Sequence, residues 1–266
     1  MNALHTWLAL RGQGFSERLN AWVSVFRFSI TALVGVFSPS MYNRATRLVV
    51  QKQIYFTAWQ ILPGFAVFVA LFSVLIIQIV GTTARKYGLH QYALELIVRI
   101  LVLELLPLMT ALFIALRTGT AINTEVALMK IRNELEALQR IGIDPLRLEL
   151  LPRVVGGTVS VLAMTAVSIV LALWMTHLLI VDFHTWPVTS GDFNRMIGRV
   201  LDTEALIVLW AKTLAFGFAV TVIPISEGLN TPQRMFHAPI ALLRGMVRLF
   251  FSLMVIEGIA LAIVYA

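Results

Sequence analysis

The 266-residue sequence contains no cysteine and little charge, since only 13% of its residues are Asp, Glu, Lys or Arg. Without cysteine there is no disulfide framework, no thiol nucleophile and no thiolate metal site. A soluble domain carries about 25% charged residues, and a disordered chain needs high charge with low hydrophobicity. Both classes are therefore excluded. The sequence also lacks the G-x-x-x-x-G-K-[ST] loop that cradles phosphates in P-loop nucleotide hydrolases.

Apolar sequence is abundant instead, because 59% of the residues are hydrophobic. Five runs are long enough to cross about 30 Å of hydrocarbon as helices, and each run has at most one or two ionisable residues in its core. We therefore predict an all-α membrane protein with five transmembrane helices. The predicted spans are 54–80, 92–116, 154–181, 205–225 and 246–266.

A different pattern precedes these spans. In residues 15–37, apolar side chains recur every three or four positions with polar ones between them, which predicts an amphipathic helix lying in the membrane interface. A cleaved signal peptide is the alternative, but Arg27 interrupts its apolar core and no clear cleavage site follows. We assign residues 1–53 to an N-terminal segment with this helix and residues 54–266 to a five-span domain.

The net charge of +7 is unevenly distributed along the chain. Outside the span cores, Lys and Arg number six in 1–53, six in 117–153 and three in 226–248, but only two in each of the other two loops. Basic loops mark the cytoplasmic side of a membrane protein. The N-terminus is therefore predicted to be cytoplasmic and the C-terminus periplasmic. Basic residues scattered in this way do not favour nucleic-acid binding.

The connection between the second and third spans is predicted to contain a helix over 120–142. Asn123 or Thr124 is suited to cap its start, and Gly142 to end it in a left-handed conformation. Asp144 as N-cap and Pro145 at the first helical position then predict the start of another helix. The first helix carries an apolar stripe and charged remaining faces. It either rests on the bilayer or docks into a groove on a soluble partner.

This region also carries several motifs at unbroken spacing. It reads LELLPLMTALFIALRTGTAINTEVALMKIRNELEALQRIGIDPLR, followed by LPR. The stretch resembles the MlaE-type permeases of bacterial ABC systems that work with MCE proteins in intermembrane lipid transport. The positions that match the family pattern are Glu104, Pro107, Arg117, Gly119, Glu125, Met129, Glu134, Ala137, Leu138, Gly142, Asp144, Pro145, Pro152 and Arg153.

Four positions depart from the family pattern, which indicates a diverged member. Leu103 stands where the family has Arg, Leu106 replaces a Gly, and Ala127 and Leu128 replace the usual residues before the motif's Met. The lost Arg removes one candidate contact for a lipid headgroup. Arg99, one turn earlier on the helix, is a candidate substitute.

The resemblance implies a transport subunit rather than an enzyme. It implies a homodimer in a bacterial inner membrane, a cytoplasmic ABC ATPase that holds ATP and Mg, a periplasmic MCE-domain protein, a small STAS-domain regulator on the ATPase, and phospholipid as cargo. No cofactor is expected on this chain itself. The coupling region is placed at 117–152, and the residues implied in ATPase coupling are Arg117, Glu125, Met129, Glu134, Leu138 and Asp144.

Four ionisable side chains are assigned to the span interiors: Arg99, Glu104, Lys212 and Glu257. The resemblance places Glu104 in the lipid-binding cavity, and a structural hydrogen bond is the alternative. Pro107 is expected to kink the same helix. Lys212 and Glu257 fall at similar depths, and an isolated charge there would be costly. We therefore predict that they form an ion pair.

Two residues near the outer end of the second span have open roles. Arg99 contacts a lipid headgroup or pairs with Glu95 four residues earlier. Tyr87 lies at the cavity mouth, as the resemblance implies, or serves as an interfacial aromatic anchor. His177 and His184 have no third ligand close in sequence, so no metal site is expected.

The sequence disfavours two other function classes. An intramembrane lipid-modifying enzyme needs clustered carboxylates or histidines at one membrane face, whereas the ionisable residues here are isolated and differ in depth. An ion-coupled secondary transporter is typically built from repeated halves with broken helices, and five spans do not divide in this way.

Overall fold

The computed structural model describes residues 21–38, 43–182, 189–232 and 238–265. These residues contain no strand, which confirms the all-α prediction. The α-helices are α1 Ala21–Val36, α2 Arg44–Ile54, α3 Leu62–Lys86, α4 His90–Ile97, α5 Leu106–Ile114, α6 Thr120–Ile131, α7 Glu134–Arg140, α8 Leu151–His177, α9 Ser190–Val200, α10 Thr203–Leu229 and α11 Ala238–Tyr265. Short π-helical segments are Tyr55–Trp59, Val98–Leu105, Ala115–Gly119, Leu146–Leu150 and Leu178–Asp182.

Five helical stretches of the described residues are long and apolar enough to cross a membrane, as predicted. They run over Thr46–Ala84, Tyr92–Ile131, Leu146–Ile180, Thr203–Leu229 and Leu242–Val264. Most begin earlier or end later than the apolar runs suggest. A charged residue ends the stretch suited to hydrocarbon but does not end the helix, so helix bounds and span bounds differ.

The second spanning helix corrects one detail of the sequence analysis. Asn123 and Thr124 were expected to cap a new helix, but Asn123 is fully buried inside α6, which continues the second span. The helix continues because Ile122, Val126 and neighbouring apolar side chains pack inward. The break comes instead at Asn133, whose φ of 57° is left-handed, and α7 follows.

The C-terminal end of α7 and its exit agree with the predictions, whereas its start at Glu134 was not predicted. Gly142 has a φ of 80°, the left-handed conformation expected at a helix end. The backbone N–H of Leu146 donates to the Asp144 side chain at 3.0 Å, which starts the next helical segment. The connection thus forms a short helix between two sharp boundaries. We call this side of the bundle the α7 end and the opposite side, which carries α9, the α9 end.

Helices α8 and α10 lie at the centre of the bundle. Helix α10 packs against α6, α8 and α11, while α3 packs against α8 and α4. Large side chains such as Phe65, Leu101, Met164 and Phe216 are buried between them. The outer faces of α3 and α11 are lined by exposed apolar side chains, which suits contact with lipid or with another apolar helix.

The N-terminal amphipathic helix is confirmed over the residues that the structure describes, while 15–20 lie outside them. On α1, Val23, Phe26, Ile30 and Val34 form an exposed apolar stripe. The opposite face packs against the bundle, where Ala32 is fully buried.

Candidate functional site

Three charged side chains from three helices meet inside the bundle. Lys212 of α10 donates a hydrogen bond to the Glu104 carboxylate, and its Nζ lies 3.3 Å from the carboxylate of Glu257 on α11. The side chains of Lys212, Glu257 and Glu104 are 4%, 10% and 14% exposed. We call these three residues the outer triad. The structure thus brings together three of the four ionisable residues assigned to the span interiors.

The outer triad balances charge through its central lysine. One ammonium group faces two carboxylates, and an unpaired charge buried at this depth would cost several kcal/mol. Removing the lysine would leave two adjacent negative charges without a counterion. Glu104 keeps the largest exposed fraction of the three, so this carboxylate is the member best placed to meet a ligand.

The local helix geometry explains how Glu104 reaches this position. The residue lies in the π-helical segment Val98–Leu105, where Leu106 N–H bonds to the carbonyl of Leu101 five residues earlier. Pro107 follows, is buried, and has no N–H to continue the α-helical ladder. The widened turn changes the direction in which side chains leave the helix. Such π segments occur frequently at functional sites.

Arg99 and Tyr87 do not join the outer triad through any hydrogen bond or ion pair that the described residues form. Arg99 instead lies 3.5 Å from the Glu95 carboxylate, four residues earlier, and its side chain is 36% exposed. The intrahelical pair is therefore formed. Tyr87 follows α3 and is 75% exposed, as an interfacial aromatic would be.

A second polar cluster lies nearer the α7 end and was missed by the sequence analysis. Glu227 of α10 and Arg248 of α11 form an ion pair, and both are nearly fully buried. Beside Glu227 lies Asn123 of α6, which has no exposed surface and, among the described residues, no hydrogen-bond partner for either side-chain amide atom. We call Asn123, Glu227 and Arg248 the inner triad.

The inner triad left weak signals in the sequence. Glu227 falls two residues beyond the predicted end of the fourth span, and Arg248 falls just inside the predicted fifth. Two opposite charges at the same end of consecutive spans favour pairing across the bundle. Asn123 was interpreted as a cap because a cap is the usual place for Asn near a helix start.

The residues implied in ATPase coupling divide into two groups. Arg117 donates to the Phe56 carbonyl at 3.1 Å and to Gln60 Oε1 at 3.3 Å. Glu125 accepts a hydrogen bond from Arg153 at 2.7 Å. Both line one polar cavity of about 580 Å³ at the α7 end. Met129 is half-buried on α6.

The other group belongs to α7 and its exit. Glu134 and Leu138 are half-buried on α7, where no residue is fully buried. Glu134 lies 3.6 Å from Arg132, an exposed pair of small energetic weight. Asp144 is exposed beyond Gly142. Helix α7 therefore protrudes from the bundle with most of its surface unpacked.

No group of three or more His, Asp or Glu side chains in the described ranges is placed to hold a metal ion. The His177 ring packs edge-on against Phe193, with centroids 5.1 Å apart. His184 lies outside the described residues.

These features define the class of the protein: a multi-pass α-helical membrane protein whose charged side chains pair inside the bundle. The family model described as Permease MlaE matches residues 50–263. The chain belongs to this permease family. That result confirms the resemblance carried by the motifs between Glu104 and Arg153.

Three relatives illustrate the range of similarity. The intermembrane phospholipid transport system permease protein MlaE of Haemophilus influenzae is 32% identical over 161 residues, which cover 56% of this chain and 61% of that relative. A probable ABC transporter permease protein of Rickettsia typhi is 22% identical over 76% of this chain and 75% of its own. One from Synechocystis is 27% identical over 48% of each chain.

Proposed function

We propose that this chain is the transmembrane permease subunit of an ABC transporter that moves phospholipids between the inner and outer bacterial membranes. Membership of the permease family supports a transport role. The name of the Haemophilus relative supports phospholipid as the cargo, and the names of the other two support the ABC class. The chain is proposed to act with an MCE-domain protein rather than as an enzyme.

The outer triad is the observation that carries this proposal. Ionisable side chains within membrane spans are costly, face the bundle interior and mark transport pathways. Here three of them meet on three different helices, and the Glu104 carboxylate is still partly exposed. A relative movement of these helices changes both the charge environment and the space around Glu104. The outer triad is thus suited to bind and release an amphiphile as the bundle changes shape.

Phospholipid transfer needs an energy source, because moving one methylene group from an apolar environment into water costs about 0.8 kcal/mol of free energy. Extraction of two acyl chains must therefore be driven or follow an equally apolar path. We assign the energy to ATP and Mg on a separate ATPase subunit. This chain contributes the path and the helices that move.

Helix α7 is the proposed ATPase contact. It lacks fully buried residues, and only Arg132 and Asn133 separate it from the spanning helix that carries Glu104. A helix with apolar and charged faces that protrudes from the bundle fits a groove on a soluble partner. A push on α7 is transmitted directly to α6.

The proposed orientation follows the distribution of basic residues. The α7 end, with the largest number of Lys and Arg, is placed in the cytoplasm together with the N-terminus, and the C-terminus is periplasmic. The α9 end then faces the MCE-domain protein. The exposed apolar faces of the spans leave room for a homodimer, and a STAS-domain regulator is proposed to sit on the ATPase.

Affinity purification of the chain from its native membrane tests the partners. We expect mass spectrometry to identify an ABC ATPase and an MCE-domain protein. The double variant Glu134→Lys, Leu138→Ala is expected to recover at least tenfold less ATPase, because it changes the surface of α7 without touching the buried core. Recovery of the MCE-domain protein is expected to stay the same.

Glu204→Lys is the matched control, since Glu204 is exposed at the opposite end of the bundle. It is expected to retain the ATPase at the wild-type level. Repeated purification of the wild-type chain without an ATPase would refute the proposal.

A further inference from the structure

The two triads join the same three helices at two depths. Each takes one residue from the second spanning helix, one from α10 and one from α11. Along α10 the members of the two triads, Lys212 and Glu227, are fifteen residues apart, which is about 22 Å at the α-helical rise of 1.5 Å per residue. The inner triad lies toward the α7 end and the outer triad toward the α9 end.

The helices approach one another closely at the inner triad. A Cβ atom on Gly245 of α11 would lie 2.6 Å from Asn123 Nδ2 and 3.2 Å from side-chain carbons of Glu227. Only glycine allows this approach without a shift. Nearby, Lys130 donates a hydrogen bond to the carbonyl of Leu229, which joins the end of α6 to the end of α10. The last turns before α7 are therefore held to both neighbouring helices.

Asn123 distinguishes the inner triad from a fully hydrogen-bonded structural contact. Its amide oxygen and nitrogen are buried and find no hydrogen-bond partner in the part of the chain that the structure describes, a condition that is rare for buried polar groups and requires an explanation. The Asn123 amide and side-chain carbons of Glu227 lie against the same residue of α11, Gly245. A displacement of α6 that brought the amide to either charged group would give it a hydrogen bond that the present arrangement lacks.

We propose that the inner triad transmits displacement of α7 to α10 and α11, and thereby to the outer triad. This proposal rests on the function proposed above, and it makes Asn123, Glu227 and Arg248 positioning residues. When the ATPase acts on α7, the second spanning helix moves and the Asn123 side chain changes its hydrogen-bond environment. The buried ion pair then carries the movement into α10 and α11. The inner triad sets the coupling between ATP hydrolysis and lipid movement.

The first test is Asn123→Leu in the full complex reconstituted in proteoliposomes. Leucine has a similar size and removes the unpartnered amide, so we expect the variant to assemble and to be at least as thermally stable as the wild type. ATP hydrolysis is expected to stay within twofold of the wild-type rate. Lipid transfer is expected to fall at least fivefold, so that fewer lipids move per ATP.

Ser73→Ala on α3 is the matched control, because Ser73 Oγ is also fully buried with no partner among the described residues but belongs to neither triad. It is expected to leave the lipid-to-ATP ratio unchanged. If the inner triad served stability alone, Asn123→Leu would behave like Ser73→Ala. That result, or a loss of hydrolysis and transfer in equal proportion, would overturn the inference.

A second variant does not depend on how well Asn123→Leu folds. Glu227→Gln with Arg248→Met replaces the buried ion pair by uncharged side chains of similar size, a change that proteins often tolerate. We expect assembly and hydrolysis to be retained and lipid transfer to fall at least fivefold. A wild-type lipid-to-ATP ratio in this variant would refute the inference. Absence of ATP-dependent transfer by the wild-type complex would instead refute the proposed function.

Discussion

Lys212→Met is expected to lower the free energy of unfolding by about 3–5 kcal/mol, the usual effect of removing one partner from a buried ion pair. Methionine has nearly the same length but no charge. Glu104 and Glu257 would then remain as two buried carboxylates without a counterion. The measurement is equilibrium unfolding of the purified chain in mixed detergent micelles, followed by helical circular dichroism.

The control is the triple variant Lys212→Met, Glu104→Gln, Glu257→Gln, which removes all three charges together. We expect its stability to return to within about 1 kcal/mol of the wild type, because a buried ionic cluster replaced by neutral groups of similar volume costs little. Lys52→Met, at an exposed position, should have almost no effect. A Lys212→Met variant as stable as the wild type would contradict the geometry of the outer triad.

Glu104→Arg is expected to reduce ATP-dependent phospholipid transfer to less than a tenth of the wild-type rate. The change places a second cation beside Lys212 and leaves Glu257 as the only carboxylate of the triad. It also reverses the charge at the most exposed member. Transfer of a fluorescent phospholipid from proteoliposomes that contain the complete complex measures the effect.

The matched control for this variant is Glu204→Arg, the same charge reversal at an exposed position of α10. Its transfer rate is expected to equal that of the wild type. Glu104→Gln, which keeps the shape and removes only the charge, should give an intermediate rate. If Glu104→Arg assembled normally and transferred lipid at the wild-type rate, the role proposed for the outer triad would be wrong.

The span number and the helical class were predictable because long apolar runs have one stable solution in a bilayer, a hydrogen-bonded helix. Depth along each span could also be estimated, and this led to the expected contact between Lys212 and Glu257. Rotation about the helix axis could not be estimated. Apolar side chains surround each span, so no polar stripe shows which way Glu104 faces, and its contact with Lys212 was not predicted.

The end of the second span shows a second limit. Residues 117–131 contain charged side chains that favour a loop or a new helix, yet the helix continues to Ile131 because its inner face packs against α10. Tertiary packing overrode the local capping preference of Asn123. The other two members of the inner triad were missed because of the span bounds: the predicted fourth span ended before Glu227, and Arg248 fell at the edge of the predicted fifth span.

The most direct measurement compares phospholipid transfer with and without ATP, in proteoliposomes that contain the wild-type chain and the partners that co-purify with it. We expect transfer to require ATP and to stop when this chain is omitted. Transfer at the same rate without ATP, or ATP hydrolysis with no movement of lipid, would contradict the assignment of this chain as the permease of an ATP-driven phospholipid transporter.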